Sequence, residues 1–180
     1  AFDVDGCVDP DHSENYNDLK KELLNYVNLD HQHYSSLAEA MVKADIFIGV
    51  SAPRLVTTEM VASMNQGNIV FAMANPEPEI TYDKVKEAGA YIIGTGRSDY
   101  PNQVNNLLAF PGIFRGALDA KATKITENMK LAAAKGLASL ISDDELNPEN
   151  IIVSAFDERV VPTVAKAVAD EAVASGFVRK

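Results

Sequence analysis

Three short stretches constrain the fold of this chain more than any other feature. The runs "IFIGVSAP" (46–53), "IVFAMANP" (69–76) and "YIIGTG" (91–96) are each apolar at first and then close on small or polar residues. Unbroken apolar runs of this kind suit strands buried on both faces, as in a parallel sheet covered by helices. Helical patterns lie between and after them. Ser36 and Glu39 form a capping-box pair at a helix start. Residues 57–64 and 82–88 read as further helices, the second stopped by Gly89. A longer helix is expected over 123–141, with Met129, Ala133, Leu137 and Leu140 on one stripe. The last helix presents Val161, Val164, Ala165, Val168 and Ala172 at core-facing spacing. "AFDV" at the start is a truncated apolar run ending at Asp3, Asp5 and Gly6, and "SDDELNPEN" is a polar loop. Strand and helix in alternation mean an α/β fold with a mostly parallel sheet, in one domain spanning 1–180.

Composition narrows the partners. With 26 acidic against 16 basic residues, the chain carries a formal charge of −10 and no cluster of Lys and Arg to neutralise phosphates, so nucleic acid is not expected as a ligand. No run approaches the ~20 apolar residues that span a bilayer. The opening "AFDVDG" has no basic segment followed by an apolar one, so no secretory signal is expected. Cys7 is the sole cysteine, which excludes an intrachain disulfide and fits a reducing, cytoplasmic setting.

In open α/β sheets ligands bind beyond the carboxyl ends of the strands. That rule selects Asp3 and Asp5, residues 51–53, Asn75 with Pro76, and residues 94–106. Asp3 could accept hydrogen bonds from ribose hydroxyls, or belong to a solvated D-x-D-G turn. No Lys or Arg precedes Lys20, so a 2′-phosphate would meet repulsion there and NAD is favoured over NADP. Ser51 and Ala52 are small enough to let a flat ligand approach the backbone, or form an ordinary βα turn. Asn75 precedes a proline, which holds it extended and lets its amide serve a ribose hydroxyl or a carboxamide; an Asx turn is the other reading.

The stretch "NQVNNLLAF" (102–110) reads as helical up to Pro111, which would set Asn102, Asn105 and Asn106 on one face. Leu107, Leu108 and Phe110 would then anchor that amide patch in the core. "GTGRSD" lacks the third glycine of a phosphate loop. His31 and His33 lie in a polar connector and read as solvated rather than metal-bound. No Ser/His/Asp set and no marked acid–base pair of carboxylates appears, so no catalytic residue is assigned.

"ADIFIGVSAP", "MVASMNQGNIVFAMANPEPEI", "AGAYIIGTGRSDYPNQVNNLLAFPGIFRGALDAKA", "ITENMKLAAAKGLASL" and "AFDERVVPTVAKAVA" follow one another in order and spacing. Together they resemble the NAD-binding domain of the smaller, prokaryotic-type malic enzymes. The resemblance implies a Rossmann-like, doubly wound sheet and oxidative decarboxylation of L-malate to pyruvate and carbon dioxide, with NAD or NADP and Mg or Mn. It implies Asp3 at the adenosine ribose, Ser51 and Ala52 along the dinucleotide groove, and Asn75 near the nicotinamide riboside. Asn105 and Asn106 would meet malate and the nicotinamide end.

The family's catalytic Lys and Tyr, its metal carboxylates and its first βα unit lie upstream of the matched segments. The resemblance therefore implies a C-terminal portion, inactive alone, of an enzyme expected to be a homodimer. In the Rossmann order the absent first strand is central. "AFDV" and "IFIGV" would then lack a neighbour, at ~1–3 kcal/mol for each buried unpaired group, and cofactor affinity would be weak. Two other readings stand beside this one: another NAD-linked 2-hydroxy or amino-acid dehydrogenase domain, and a non-catalytic nucleotide-binding module.

Overall fold

The computed structural model describes residues 1–179. The chain divides into two compact units, Ala1–Tyr91 and Ile92–Lys180. The first opens with β1 (Phe2–Asp3) and β2 (Gly6–Cys7), paired antiparallel with Phe2 opposite Cys7 and Asp3 opposite Gly6. "AFDV" was expected as a strand of the main sheet; it folds instead into a two-strand hairpin of its own. The turn chemistry explains this. The Asp3 carboxylate accepts the Asp5 N–H at 2.9 Å, and Gly6 takes φ +108°, which only glycine adopts readily.

A 3-10 turn, Pro10–Asn15, and α1 (Asp18–Leu23) follow. In α2 (Leu37–Met41) Ser36 caps the Glu39 N–H, but the Glu39 carboxylate bonds Ser35 through its N–H and its hydroxyl. The capping box is thus displaced by one residue. The strand β3 (Ile46–Gly49), the helix α3 (Thr58–Ala62), capped by Thr57, and the strand β4 (Ile69–Ala72) form a parallel crossover. Its register pairs Ile46 with Ile69 and Gly49 with Ala72. The helix α4 (Tyr82–Glu87) ends before Gly89, at φ +86°.

The expectation that these strands are buried on both faces fails for β3. Phe47 and Gly49 are buried, whereas Ile46 and Ile48 are 54% and 61% exposed. The run is apolar on both faces, but only the Phe47 face is covered.

The second unit starts with β5 (Ile92–Thr95) and continues through a 3-10 turn, Asn106–Leu108, into α5 (Phe110–Asp119). Pro111 starts this helix rather than ending one, in the first turn where its missing N–H costs nothing. The helix α6 (Glu127–Ala138) is shorter than the expected 123–141 because Thr126 caps the Met129 N–H and fixes its start. The helix α7 (Val160–Ala174) completes the unit.

Met129, Ala133, Val164, Val168 and Ala172 form the heart of one apolar core, with Leu137 and Leu140 packed against it. Val160 takes the buried place expected for Val161, which is exposed. A Cβ at Gly112 would lie 2.6 Å from the Cβ of Val164, and one at Gly116 would collide with the Ala165 carbonyl. Glycine at these positions seats α5 directly on the backbone of α7.

Candidate cofactor site

The loops after β3 and β4 are gathered by one buried side chain, Glu79. Its carboxyl accepts the Ser51 N–H at 2.7 Å, the Ser51 hydroxyl at 3.1 Å and the Ala74 N–H at 3.1 Å. Gly49 makes room for it, since a Cβ there would stand 2.5 Å from the Glu79 Cδ. Glu79 was not singled out in the sequence. The sequence carries no periodic signal for it, because its partner Ser51 lies far away along the chain.

Ser51 and Ala52 are exposed at this strand end, and the Ser51 hydroxyl is already engaged with Glu79. What Ser51 offers a ligand is therefore a fixed, small surface rather than a free donor. Asn75 follows β4, exposed and in a cis peptide bond to Pro76, and no hydrogen bond among the described residues occupies its amide. An unspent, solvent-facing amide at a strand terminus can give two donors and one acceptor to a ligand.

Asp3 sits on the hairpin with Asp5, and both carboxylates meet the ammonium of Lys20, which is 2.8 Å from Asp5. The Lys20 hydrogen bond, reinforced by the Asp5 N–H, holds the Asp3 carboxyl below its ordinary value of 3.8. The same carboxylates push the Lys20 ammonium upward. Sequence order had placed no cation beside Asp3, but the first turn of α1 brings one back. Asp3 is thereby an ionised acceptor held in place.

The asparagine patch after β5 is not a helical face. Asn102 takes φ +54° and is buried. Its Nδ2 donates to the carbonyls of Ile93 (2.9 Å) and Pro148 (2.8 Å), and its Oδ1 accepts the Ile151 N–H at 2.9 Å. Asn105 caps the 3-10 turn by accepting the Leu107 N–H at 3.0 Å, which leaves its amide donors. Asn106 is exposed. The local hydrogen bonds available to asparagine outweigh helix here, as its preference for caps and left-handed turns predicts. Of the apolar residues that follow, only Leu108 is buried; Leu107 and Phe110 are half-exposed.

Asp9, His12 and His33 also converge, their ligand-capable atoms all within 4.8 Å of one another. His33 is therefore not simply solvated, as the sequence had suggested. His31 stands apart, 3.4 Å from Asp11.

Residues 2–173 match the family model described as malic enzyme, NAD binding domain. The chain belongs to this family. The malic enzyme likeness extends to named relatives. The bifunctional malic/malolactic enzyme of Bacillus subtilis is 52% identical over 98% of this chain and 43% of its own length. The NAD-dependent malic enzyme of Geobacillus stearothermophilus is 53% identical over 81% of this chain and 30% of its own. Other malic enzyme relatives carry NADP in their names. The crystal structure of the NAD-dependent malic enzyme from Thermotoga maritima superposes with a TM-score of 0.80 at 42% identity, covering 89% of this chain and 41% of that one. The fold is thus the α/β, Rossmann-type domain of malic enzymes. The chain spans less than half the length of these relatives.

Proposed function

We propose that this chain is the NAD-binding part of a malic enzyme that oxidises L-malate and releases pyruvate and carbon dioxide. The match to the malic enzyme NAD-binding family across residues 2–173 carries the reading. It disfavours a different dehydrogenase and a purely regulatory nucleotide module.

The residues fit a dinucleotide. Asp3, kept ionised by Lys20, accepts from the adenosine ribose hydroxyls. Ser51, fixed by Glu79, and Ala52 offer a small surface along the groove. Asn75 directs its unspent amide to the nicotinamide riboside. In the second unit, the Asn105 donors and the whole Asn106 amide suit the malate carboxylate and the nicotinamide end, following the family. The bound nicotinamide takes hydride from the malate carbon that bears the hydroxyl.

NAD is the proposed cofactor. Asp3 and Asp5 share the single ammonium of Lys20, so a 2′-phosphate would have to draw that cation from both carboxylates. The reaction's Mg or Mn ion prefers oxygen ligands throughout. That ion, the catalytic Lys and Tyr and the dimer partner are assigned to the rest of the enzyme.

The decisive measurement is malate-dependent reduction of NAD and of NADP by the full-length protein, with pyruvate assayed in parallel. Reduction of NAD with matching pyruvate is expected, and no reduction of either dinucleotide overturns the reading. The isolated chain is expected to be inactive, and malate-dependent NADH formation by it would refute that part.

A further inference from the structure

The trio Asp9, His12 and His33 lies in the first unit, lining an open cleft of about 830 Å³. Asp9 is 2% exposed, whereas the two imidazoles are each 66% exposed at the side chain. The two oxygens of Asp9 have different fates. Oδ1 accepts the Asp11 N–H at 2.8 Å as the cap of the 3-10 turn. Oδ2 is shielded from solvent and has no hydrogen-bond partner of proper geometry among the described residues. It faces the Nδ1 of His33 in close contact and the Nδ1 of His12 at 3.6 Å. The two rings stack with centroids 5.3 Å apart and planes 14° from parallel, and both turn Nδ1 toward that oxygen.

When both Nδ1 atoms are unprotonated, three lone pairs converge on one point, an arrangement that a bound cation relieves. The connector that carries His33 is itself shaped to deliver it. Asn28, at φ +50°, donates to the carbonyls of Val8 and Gln32 and accepts the Gln32 N–H at 2.8 Å. The backbone next to His33 is thereby tied to the backbone next to Asp9.

We infer that Asp9 Oδ2, His12 Nδ1 and His33 Nδ1 form a three-ligand site for a divalent transition ion of the zinc, cobalt or nickel class. Two imidazoles and one carboxylate are the donor set such ions select over Mg, which prefers oxygen throughout. The spacing is within reach once the exposed His33 ring draws back from Asp9. Ligand atoms on a tetrahedral ion at ~2.0–2.1 Å stand roughly 3.4 Å apart, close to the 3.6 Å already separating His12 from Asp9. Remaining coordination positions open into the cleft. Binding there would satisfy the one buried acceptor in the cluster and tie the 3-10 turn to the connector before α2.

The test uses the purified full-length protein, stripped of metal and titrated with Co²⁺ alone. A saturable visible absorption displaced by Zn²⁺ is expected. His33→Ala and His12→Ala should each weaken the Co²⁺ signal that they share by at least about tenfold, since losing even a supporting group around a metal costs about 10–100-fold. His31→Ala should leave the signal unchanged. Zn²⁺ should raise Tm further in the parent protein than in His33→Ala, since an ion held by the rest of the enzyme acts equally on both. Titrations of both histidine variants that superimpose on the parent would overturn the inference. So would cluster histidine resonances in NMR that respond to pH alone and not to Co²⁺. Both histidines are largely exposed, so their variants carry the test even if Asp9→Asn does not fold.

Discussion

The two units fix the loops at their strand ends with one buried polar side chain each, but with opposite hydrogen-bond logic. In the first, the Glu79 carboxyl accepts from Ser51 and Ala74, and so gathers donors, two backbone N–H groups and a hydroxyl. In the second, the Asn102 amide both donates and accepts, and so joins the carbonyl of Ile93 in β5 to a carbonyl and an N–H of the loop at 148–151. The first unit carries its polar latches at the surface as well, in Asp3–Lys20–Asp5. The second relies on helices pressed together through Gly112 and Gly116. An acceptor hub leaves the adjoining Asn75 amide unspent for a ligand, whereas a mixed hub consumes its own amide in holding the fold.

This contrast can be broken at several points. The largest effect is expected at Asn102→Ala, which strands two carbonyls and one N–H. It should cost about 3–5 kcal/mol by chemical denaturation, and a loss below about 1 kcal/mol would show that the amide is not a hub. Gly116→Ala drives a Cβ into the Ala165 carbonyl and should cost about 2–3 kcal/mol, read as a fall in Tm. Glu79→Gln keeps one acceptor but turns an amide donor toward N–H groups. It should cost about 1–3 kcal/mol and weaken NAD binding in calorimetric titration; unchanged affinity would separate the Glu79 clamp from the cofactor.

The smallest effect is expected at Lys20→Met. Lys20 and Asp3 are partly exposed and Asp5 largely so, so stability should move little. Asp3 should lose its depressed titration and return toward 3.8, seen by NMR of its carboxyl carbon. The sign follows from the shift. Asp3 is lowered in the fold, so the latch contributes fully above the ordinary carboxylate value and is lost as pH falls through the lowered one.

Much of this was legible in the residues because it is local. The strands β3 to β5 and the helices α2, α3, α4, α6 and α7 follow from apolar periodicity and caps, whereas the starts that Thr126 and Pro111 set were misread as position 123 and as a helix end. The errors share a different cause. Asn102 was placed on a helix because its true partners, Pro148 and Ile151, lie far along the chain where no periodicity reports them. Lys20 and His33 were likewise set apart from Asp3 and Asp9 by sequence distance and brought beside them by turns. The exposed Ile46 face shows the converse limit, since apolar residues on both sides of a strand do not reveal which side finds cover.

The three-way junction at Asn102 has a kinetic consequence. A segment held by a private hydrogen bond can open by itself, but the amide proton of Ile151 is gripped by the same side chain that grips the carbonyls of Ile93 and Pro148. Release of one frees the others. Hydrogen–deuterium exchange at Ile151 should therefore keep pace with exchange at Val104, whose N–H bonds the Thr95 carbonyl at the end of β5. Two stretches of chain remote in sequence would then breathe as one.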